Sequence, residues 1–482
     1  MSISKFNLFF LTTLLSLLFG LPGRASQSRF FVQTLKQPNA EAERLLNLCR
    51  EDLGKEQAEA AIKSCEEAVK AFQELNDRRG EAKSQINLGI ALNQGKQFDS
   101  SIAALHVGLK IAQEVNGNRD IAIAQLLLAI AYEVVGQGEK ALEFAQLGQS
   151  FFEQKEKADQ LLQQGIQEFQ ISQLREALQS LEKALVIYRE IGDREEEAAS
   201  LGSLGNVYFS QGDYQRAIDF YQQSLAIQRE IGDRGGEASS LSGLGIAYHS
   251  QGDYQRAIDF HQQSLAIQRE IGDRGGEAKS LGNLGLAYRS LGDYQRAIDF
   301  HQQTLAITRA IGDRAGEAKS LSNLGLAYLS MGDYQRAIDF DQQALTIDRE
   351  IGDRAGEATS LSGLGISYLS QGDYQRAIDF HQQSLAIQEE IGGRAGEARS
   401  LGNLGNAYYS LGDYQRAIDF HQQALIIAQE ISDKQWEAGS LSNLGNAYSS
   451  LGDYQRAINF PSAVSHYSTR NRRSSRRSKF LG

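Results

Sequence analysis

Leu201, Leu204, Gly205 and Tyr208 fall at i, i+3, i+4 and i+7, the spacing of one helix face. Asp193 precedes that stretch as an N-cap, and Glu195, Glu196 and Glu197 follow it in the first turns, where the helix dipole favours negative charge. Gly212 predicts a stop and Asp213 a new start. Ala217, Phe220, Tyr221, Ser224, Leu225 and Ile227 then form the broad buried face of a second helix, which Gly232 ends and Asp233 follows. The unit is two antiparallel helices joined by a very short turn.

That unit recurs. The heptapeptide Gly-Asp-Tyr-Gln-Arg-Ala-Ile starts at Gly212, Gly252, Gly292, Gly332, Gly372, Gly412 and Gly452, always 40 residues apart. A fixed period of this length marks a solenoid, in which each unit buries its apolar side only against its neighbours. With 41% hydrophobic residues the array can bury a long core, and its three prolines (Pro22, Pro38 and Pro461) leave the helices uninterrupted.

The pattern Leu201-x2-Leu204-Gly205-x2-Tyr208 followed by Ala217-x3-Tyr221 resembles the tetratricopeptide repeat. Gly205 and Ala217 hold the small-residue positions where paired helices approach closely. The usual terminal Pro is missing, and Ile-Gly-Asp-Arg-x-Gly-Glu-Ala extends the unit, which is similar to the longer repeats of kinesin light chains, Pins-type adaptors and many bacterial arrays. The resemblance spans about residues 41–460. It implies an all-α fold, a right-handed superhelical solenoid, and a function in binding rather than catalysis.

Residues 1–25 read as an export signal, with Lys5, an apolar stretch from Leu8 to Leu21 and a small-x-small site ending at Ala25. The expected product is periplasmic or extracellular, or else tethered to a membrane by the uncleaved segment. Residues 41–155 carry degenerate repeats, in which the Ala217 position recurs at Ala61, Ser101 and Ala141. The next copy, Ala177, follows after 36 residues instead of 40, so the link around Glu153–Asp159 is short. Near-identical repeats fill 158–460, and the two blocks together give ten full helix pairs and a partial eleventh.

After Phe460 the repeat gives way to Pro461 and a basic segment. One base inserted before suitable codons for the expected repeat yields residues 461–478, so 461–482 reads as out-of-frame translation of the next unit. On that reading Arg470, Arg472, Arg473, Arg476, Arg477 and Lys479 are not a nucleic-acid tail. Residues 1–460 then carry 43 basic and 60 acidic side chains, a balance that speaks against nucleic acid as partner.

The sequence offers little for chemistry. It shows no phosphate-cradling loop, nucleophile elbow or zinc spacing, so no catalytic, cofactor or metal residue and no small-molecule substrate is expected. His261, His301, His381 and His421 share one repeat position with Tyr221 and Asp341. Successive copies lie about 10 Å apart, too far to share an ion. They read as half-buried packing residues, and Asp341 as a local weakness. Repeated carboxylates such as Asp233, Glu237 and Asp253 read as caps and solvated faces. Cys49 and Cys65 occupy the Gly205 and Tyr221 positions of the first pair. Two readings stay open for them, a disulfide or a pair of buried thiols.

Comparison among the repeats separates frame from variable surface. The core barely changes, but three columns on the first helix do. One runs Ala199, Ser239, Lys279, Lys319, Thr359, Arg399, Gly439; the next Asn206, Ile246, Leu286, Leu326, Ile366, Asn406, Asn446; the third Phe209, His249, Arg289, Leu329, Leu369, Tyr409, Ser449. Spaced i, i+7 and i+10, they share one face. The resemblance places that face on a concave groove that grips peptides. Its aliphatic middle and its cations, Lys279, Arg289, Lys319 and Arg399, suit a protein or peptide with apolar anchors and acidic flanks. Asn206, Asn406 and Asn446 are placed to bond a peptide backbone.

Two other expectations compete with capture by this face. Similar bacterial arrays often precede a caspase-like peptidase domain, so the chain could be the sensor half of a larger protein cut short by the frameshift. Alternatively, an uncapped end at Phe460 would favour self-association.

Overall fold

The computed structural model describes residues 38–115 and 117–460. The expected export signal and basic tail lie outside them. Twenty-one helices fill the described chain, with no strand among them. In order they are α1 (Pro38–Gly54), α2 (Ala58–Glu74), α3 (Arg78–Gln94), α4 (Phe98–Glu114), α5 (Asn118–Val134), α6 (Gly138–Gln170), α7 (Leu174–Ile191) and α8 (Arg194–Ser210). These are followed by α9 (Tyr214–Ile231), α10 (Arg234–Ser250), α11 (Tyr254–Glu270), α12 (Arg274–Leu291), α13 (Tyr294–Ile311), α14 (Arg314–Met331) and α15 (Tyr334–Ile351). The last are α16 (Arg354–Gln371), α17 (Tyr374–Glu390), α18 (Arg394–Leu411), α19 (Tyr414–Glu430), α20 (Lys434–Leu451) and the short α21 (Tyr454–Ala457). The chain forms two compact units, divided within α8 after Val207.

In the first unit, consecutive helices pack on one another, and the first helices of successive pairs also touch, α1 on α3 and α3 on α5. α6 is 33 residues long and serves twice, as second helix of one pair and first helix of the next. The expected block boundary at residues 155–158 falls inside it. The 36-residue interval has lost the Ile-Gly-Asp-Arg turn, and Gln154-Lys155-Glu156-Lys157-Ala158 contains nothing to stop a helix. Lys155 then reaches Asp159 at 3.2 Å and Asp193 at 2.9 Å, while the buried Tyr188 hydroxyl donates to Asp159 at 2.7 Å.

Cys49 and Cys65 are joined by a disulfide between α1 and α2, with Cα atoms 4.9 Å apart. Both are fully buried, against Leu53, Ala61 and Ala91. A thiol pair is therefore not what the structure holds.

The second unit shows why the heptapeptide repeats. Gly292 takes φ +91°, the left-handed conformation that lets α12 end and the chain reverse. Asp293 then accepts from the Arg296 backbone N–H at 3.2 Å, capping α13. The remaining residues build a stack. Tyr248 lies parallel to Phe260 with centroids 5.4 Å apart, and the Arg256 guanidinium lies over the Tyr248 ring at 4.5 Å, held by Asp253. The same stack recurs from Tyr208 to Tyr448. Each aromatic pair contributes on the order of 1 kcal/mol beyond its burial.

Successive pairs are joined by carboxylates that the sequence reading left on solvated faces. Asp233 and Asp253 are caps, accepting from the Gly236 and Arg256 N–H groups. Glu237 is not solvated: it is 6% exposed and bridges Arg229 of α9 to Arg234 of α10. Burial alone would raise its carboxyl, but the two guanidiniums hold it below the ordinary range. Glu317 and Glu357 repeat this bridge and its lowered carboxyl.

The histidine column is also deeper than a half-buried position. His261, His301, His381 and His421 are at most 1% exposed. Each ring lies on a glycine of its partner helix: a Cβ on Gly285 would meet His301 Cε1 at 2.4 Å. Gly285→Ala should therefore lower stability by about 1–3 kcal/mol through overpacking, read as a fall in thermal midpoint. An unchanged midpoint would mean that the ring moves aside at no cost.

Candidate functional site

The three variable columns follow from the position of the core stripe. On α12 the core residues Leu281, Leu284, Gly285 and Tyr288 turn inward. This leaves Lys279 exposed, with Leu286 and Arg289 half-buried on the adjoining side. Each first helix from α10 to α20 repeats this placement, and first helices of successive pairs touch, so the columns run from helix to helix within the second unit. Ala199 and Asn206 belong to the first unit and are exposed there.

Leu286, Leu326 and Ile366 are half-buried, and Ile246 is 39% exposed. Leu329 and Leu369 flank them, also half-buried. Together they form an aliphatic strip whose members keep part of their surface in water. Lys279, Lys319 and Arg399 stand exposed along its side. Arg289 differs, because its Nε is buried with no hydrogen-bond partner among the described residues. Its charge adds to burial in holding His249 and His301 below the ordinary imidazole range.

The ends of the strip are polar and internally linked. His249 Nε2 meets Ser290 Oγ at 2.9 Å, from α10 to α12. Tyr409 OH meets Ser450 Oγ at 2.9 Å, from α18 to α20. Asn443 Nδ2 donates to Asn406 Oδ1 at 3.3 Å. The Asn406 carbonyl is thus engaged, which leaves its amide N–H groups as the donors for a ligand. Asn446 is exposed on the next helix.

Sequence reading missed the supports of the third column. Phe209, His249 and Tyr409 each tilt against the heptapeptide tyrosine five residues on, at centroid distances of 5.4, 5.2 and 5.4 Å to Tyr214, Tyr254 and Tyr414. The fixed five-residue interval across the turn was visible in the sequence, but nothing in it tells that the turn folds one ring onto the other. An open cleft of about 590 Å³ lies at the turn edge between Leu291, Tyr294 and Met331 and includes no column residue in its lining.

Among the described residues no cluster of three His, Cys, Asp or Glu is placed to hold a metal. No described helix is long and apolar enough to cross a membrane.

Tandem helix pairs, each packed on its sequence neighbours and presenting one side of the first helices, define the chain as an α-solenoid. The tetratricopeptide repeat model matches residues 157–230, 236–310, 316–390 and 396–460, and the chain belongs to that family. Proteins of this kind are typically non-catalytic scaffolds. Among solved structures, apo RapI is 17% identical, covering 57% of this chain and 98% of its own, with TM-score 0.49. The apo quorum sensor NprR from B. thuringiensis is 14% identical, covering 73% and 98%, with TM-score 0.48. Nearly identical TPR-like repeats assigned as a kinesin light chain of Podosopora anserina are 25% identical, covering 41% and 97%, with TM-score 0.36. No curated protein matches the sequence.

Proposed function

We propose that the second unit is a non-catalytic binding scaffold that holds a protein or peptide along the variable columns of its first helices. The observation that carries this reading is the contrast within each repeat. Core, caps, Tyr-Phe-Arg stacks and Glu bridges recur almost unchanged every 40 residues, while the three columns on one face do not. On the exposed side of the second helices Gln222, Gln262, Gln302, Gln342, Gln382 and Gln422 stay identical, and change is confined to scattered positions such as Ala310, Thr346 and Ile426.

The chemistry favours a segment with apolar anchors and acidic flanks. Ile246, Leu286, Leu326 and Ile366 supply contact for the anchors. Lys279, Arg289, Lys319 and Arg399 face the flanks, and no acidic residue occurs in the three columns. The disulfide of the first helix pair supports an exported setting, since such bonds persist in oxidising compartments.

The test selects binders from displayed random peptides, then measures affinity. Selected peptides should combine apolar and acidic residues, and weaken with salt. Alanine at Ile246, Leu286, Leu326 and Ile366 together should weaken binding by about tenfold or more. Unchanged affinity in that variant, with the helical content intact, would sink the groove assignment.

A further inference from the structure

We propose that the four buried imidazoles make the second unit an acid-release element, whose hairpins loosen on proton uptake while the first unit stays folded. The inference does not depend on what the columns bind.

The geometry comes first. His261, His301, His381 and His421 occur once per repeat on α11, α13, α17 and α19, pressed against Gly245, Gly285, Gly365 and Gly405. Neither ring nitrogen of His301 or His381 has a hydrogen-bond partner among the described residues, and Nδ1 of His261 and His421 has none. A neutral ring tolerates that placement as a flat, largely apolar filler. An imidazolium does not, because both of its N–H groups need acceptors and its charge needs water or a counter-ion.

The surroundings offer no counter-ion. The nearby charged or titratable groups that act on these rings are His249 toward His261 and Arg289 toward His301, and both oppose protonation. For His381 and His421 burial is the sole cause of the shift. The following first helix presents the uncharged Asn283, Asn323, Asn403 and Asn443 at the register where Gly243 meets Tyr221. Asp341 occupies the same column on α15, against Gly325 of α14 and Gly363 of α16; it does not help, since even for His381, whose ring lies on Gly365 of α16, burial is the sole cause acting.

The first unit is built differently at this column. Cys65, Leu105, Ala145 and Leu181 fill it, and none of them takes up a proton in mild acid. Its one described histidine, His106, lies outside that column and is exposed; burial and Lys140 hold its pKa below the ordinary range, but its Nε2 has a partner in the Tyr132 hydroxyl at 2.9 Å.

The sign follows from burial. Each of the four rings titrates at about 4 in the folded state, below the ordinary 6.5. The folded state therefore binds fewer protons than the unfolded one. The stability is present above 6.5 and is lost as pH falls toward 4. Between pH 7 and pH 5 each ring should lower the local folding constant by about 20-fold. Because repeats couple to their neighbours, losses in adjacent hairpins reinforce one another.

The experiment is hydrogen exchange by mass spectrometry on the full chain at pH 7 and pH 5, corrected for intrinsic rates. Amides of α11 to α19 should lose protection at pH 5, and those of α1 to α7 should keep it. A variant with leucine at all four positions should hold its protection at pH 5. Leucine suits the site, since Leu105 and Leu181 already lie on Gly89 and Gly165 in the same register. Equal loss in wild type and variant, or simultaneous opening of both units, would overturn the proposal. If the fourfold variant does not fold, His381→Leu and His421→Leu singly must each delay local opening of their own hairpin. Imidazole NMR signals supply a second check: four rings titrating near 6.5 would equally refute it.

Discussion

Asp341→Tyr should stabilise the second unit by about 3 kcal/mol at pH 7. Asp341 is 2% exposed, on α15, at a column otherwise held by His or Tyr in this unit. Burial pushes its carboxyl well above the ordinary 3.8, with no neighbouring cation to offset it. Folding at neutral pH therefore either strips a carboxylate of water or protonates it, and both cost free energy. Tyrosine fits because of the next helix. Tyr221 lies in the same column against Gly243, where a Cβ would come within 2.9 Å of its ring. Asp341 has Gly363 at that same register, whereas the four histidines are followed by asparagine.

The pH dependence separates this explanation from simple gain of packing. The folded pKa of Asp341 is raised, so its contribution is fully present below 3.8 and is lost as pH rises through the folded value. The advantage of Asp341→Tyr should thus grow from acid to neutral pH, in denaturant titrations that compare variant with wild type. An advantage that stays constant across that range would mean that the carboxylate was not the source. Asp341→Leu, smaller and free of a hydroxyl, should show the same trend with a smaller gain.

Cys49→Ser should cost the first helix pair about 3 kcal/mol, the loop-closure value for a bridge of this span. The two cysteines are 16 residues apart and fully buried. The loss falls on α1 and α2, because among the described helices α1 packs only on α2 and α3. Exchange protection over residues 38–74 should drop, while α9 to α20 keep theirs. Reduction of the wild type should reproduce the effect. If reduced and oxidised proteins show the same protection in α1 and α2, the bridge contributes nothing to this end of the array.

Much of this protein was legible from local pattern. The 3.6-residue spacing of Leu201, Leu204, Gly205 and Tyr208, the glycine stops and the aspartate caps locate the helices from α8 onward, except that Gly393 stands at the cap of α18 and Ser432 at the stop of α19. Each of these signals acts within a few residues of itself. The placement of the variable columns beside the core stripe was equally readable, because both lie on one helix and its periodicity relates them.

What required the tertiary structure always involved a second element. Glu237 looks like an ordinary first-turn acid until Arg229 from the preceding helix closes over it. The histidines look amphipathic, and only the glycine opposite each ring draws them to full burial. Asn406 reads as a free amide until Asn443 occupies its carbonyl. The short interval before Ala177 signals a missing turn, and the structure shows the outcome, one helix continuing from Gly138 to Gln170 with Lys155 tied to Asp193 of the next link. Sequence determined the repeat, its helices and its turns, because hydrogen bonding and capping are local. Packing between helices decided depth, charge state and partner, because burial depends on atoms that lie far away along the chain.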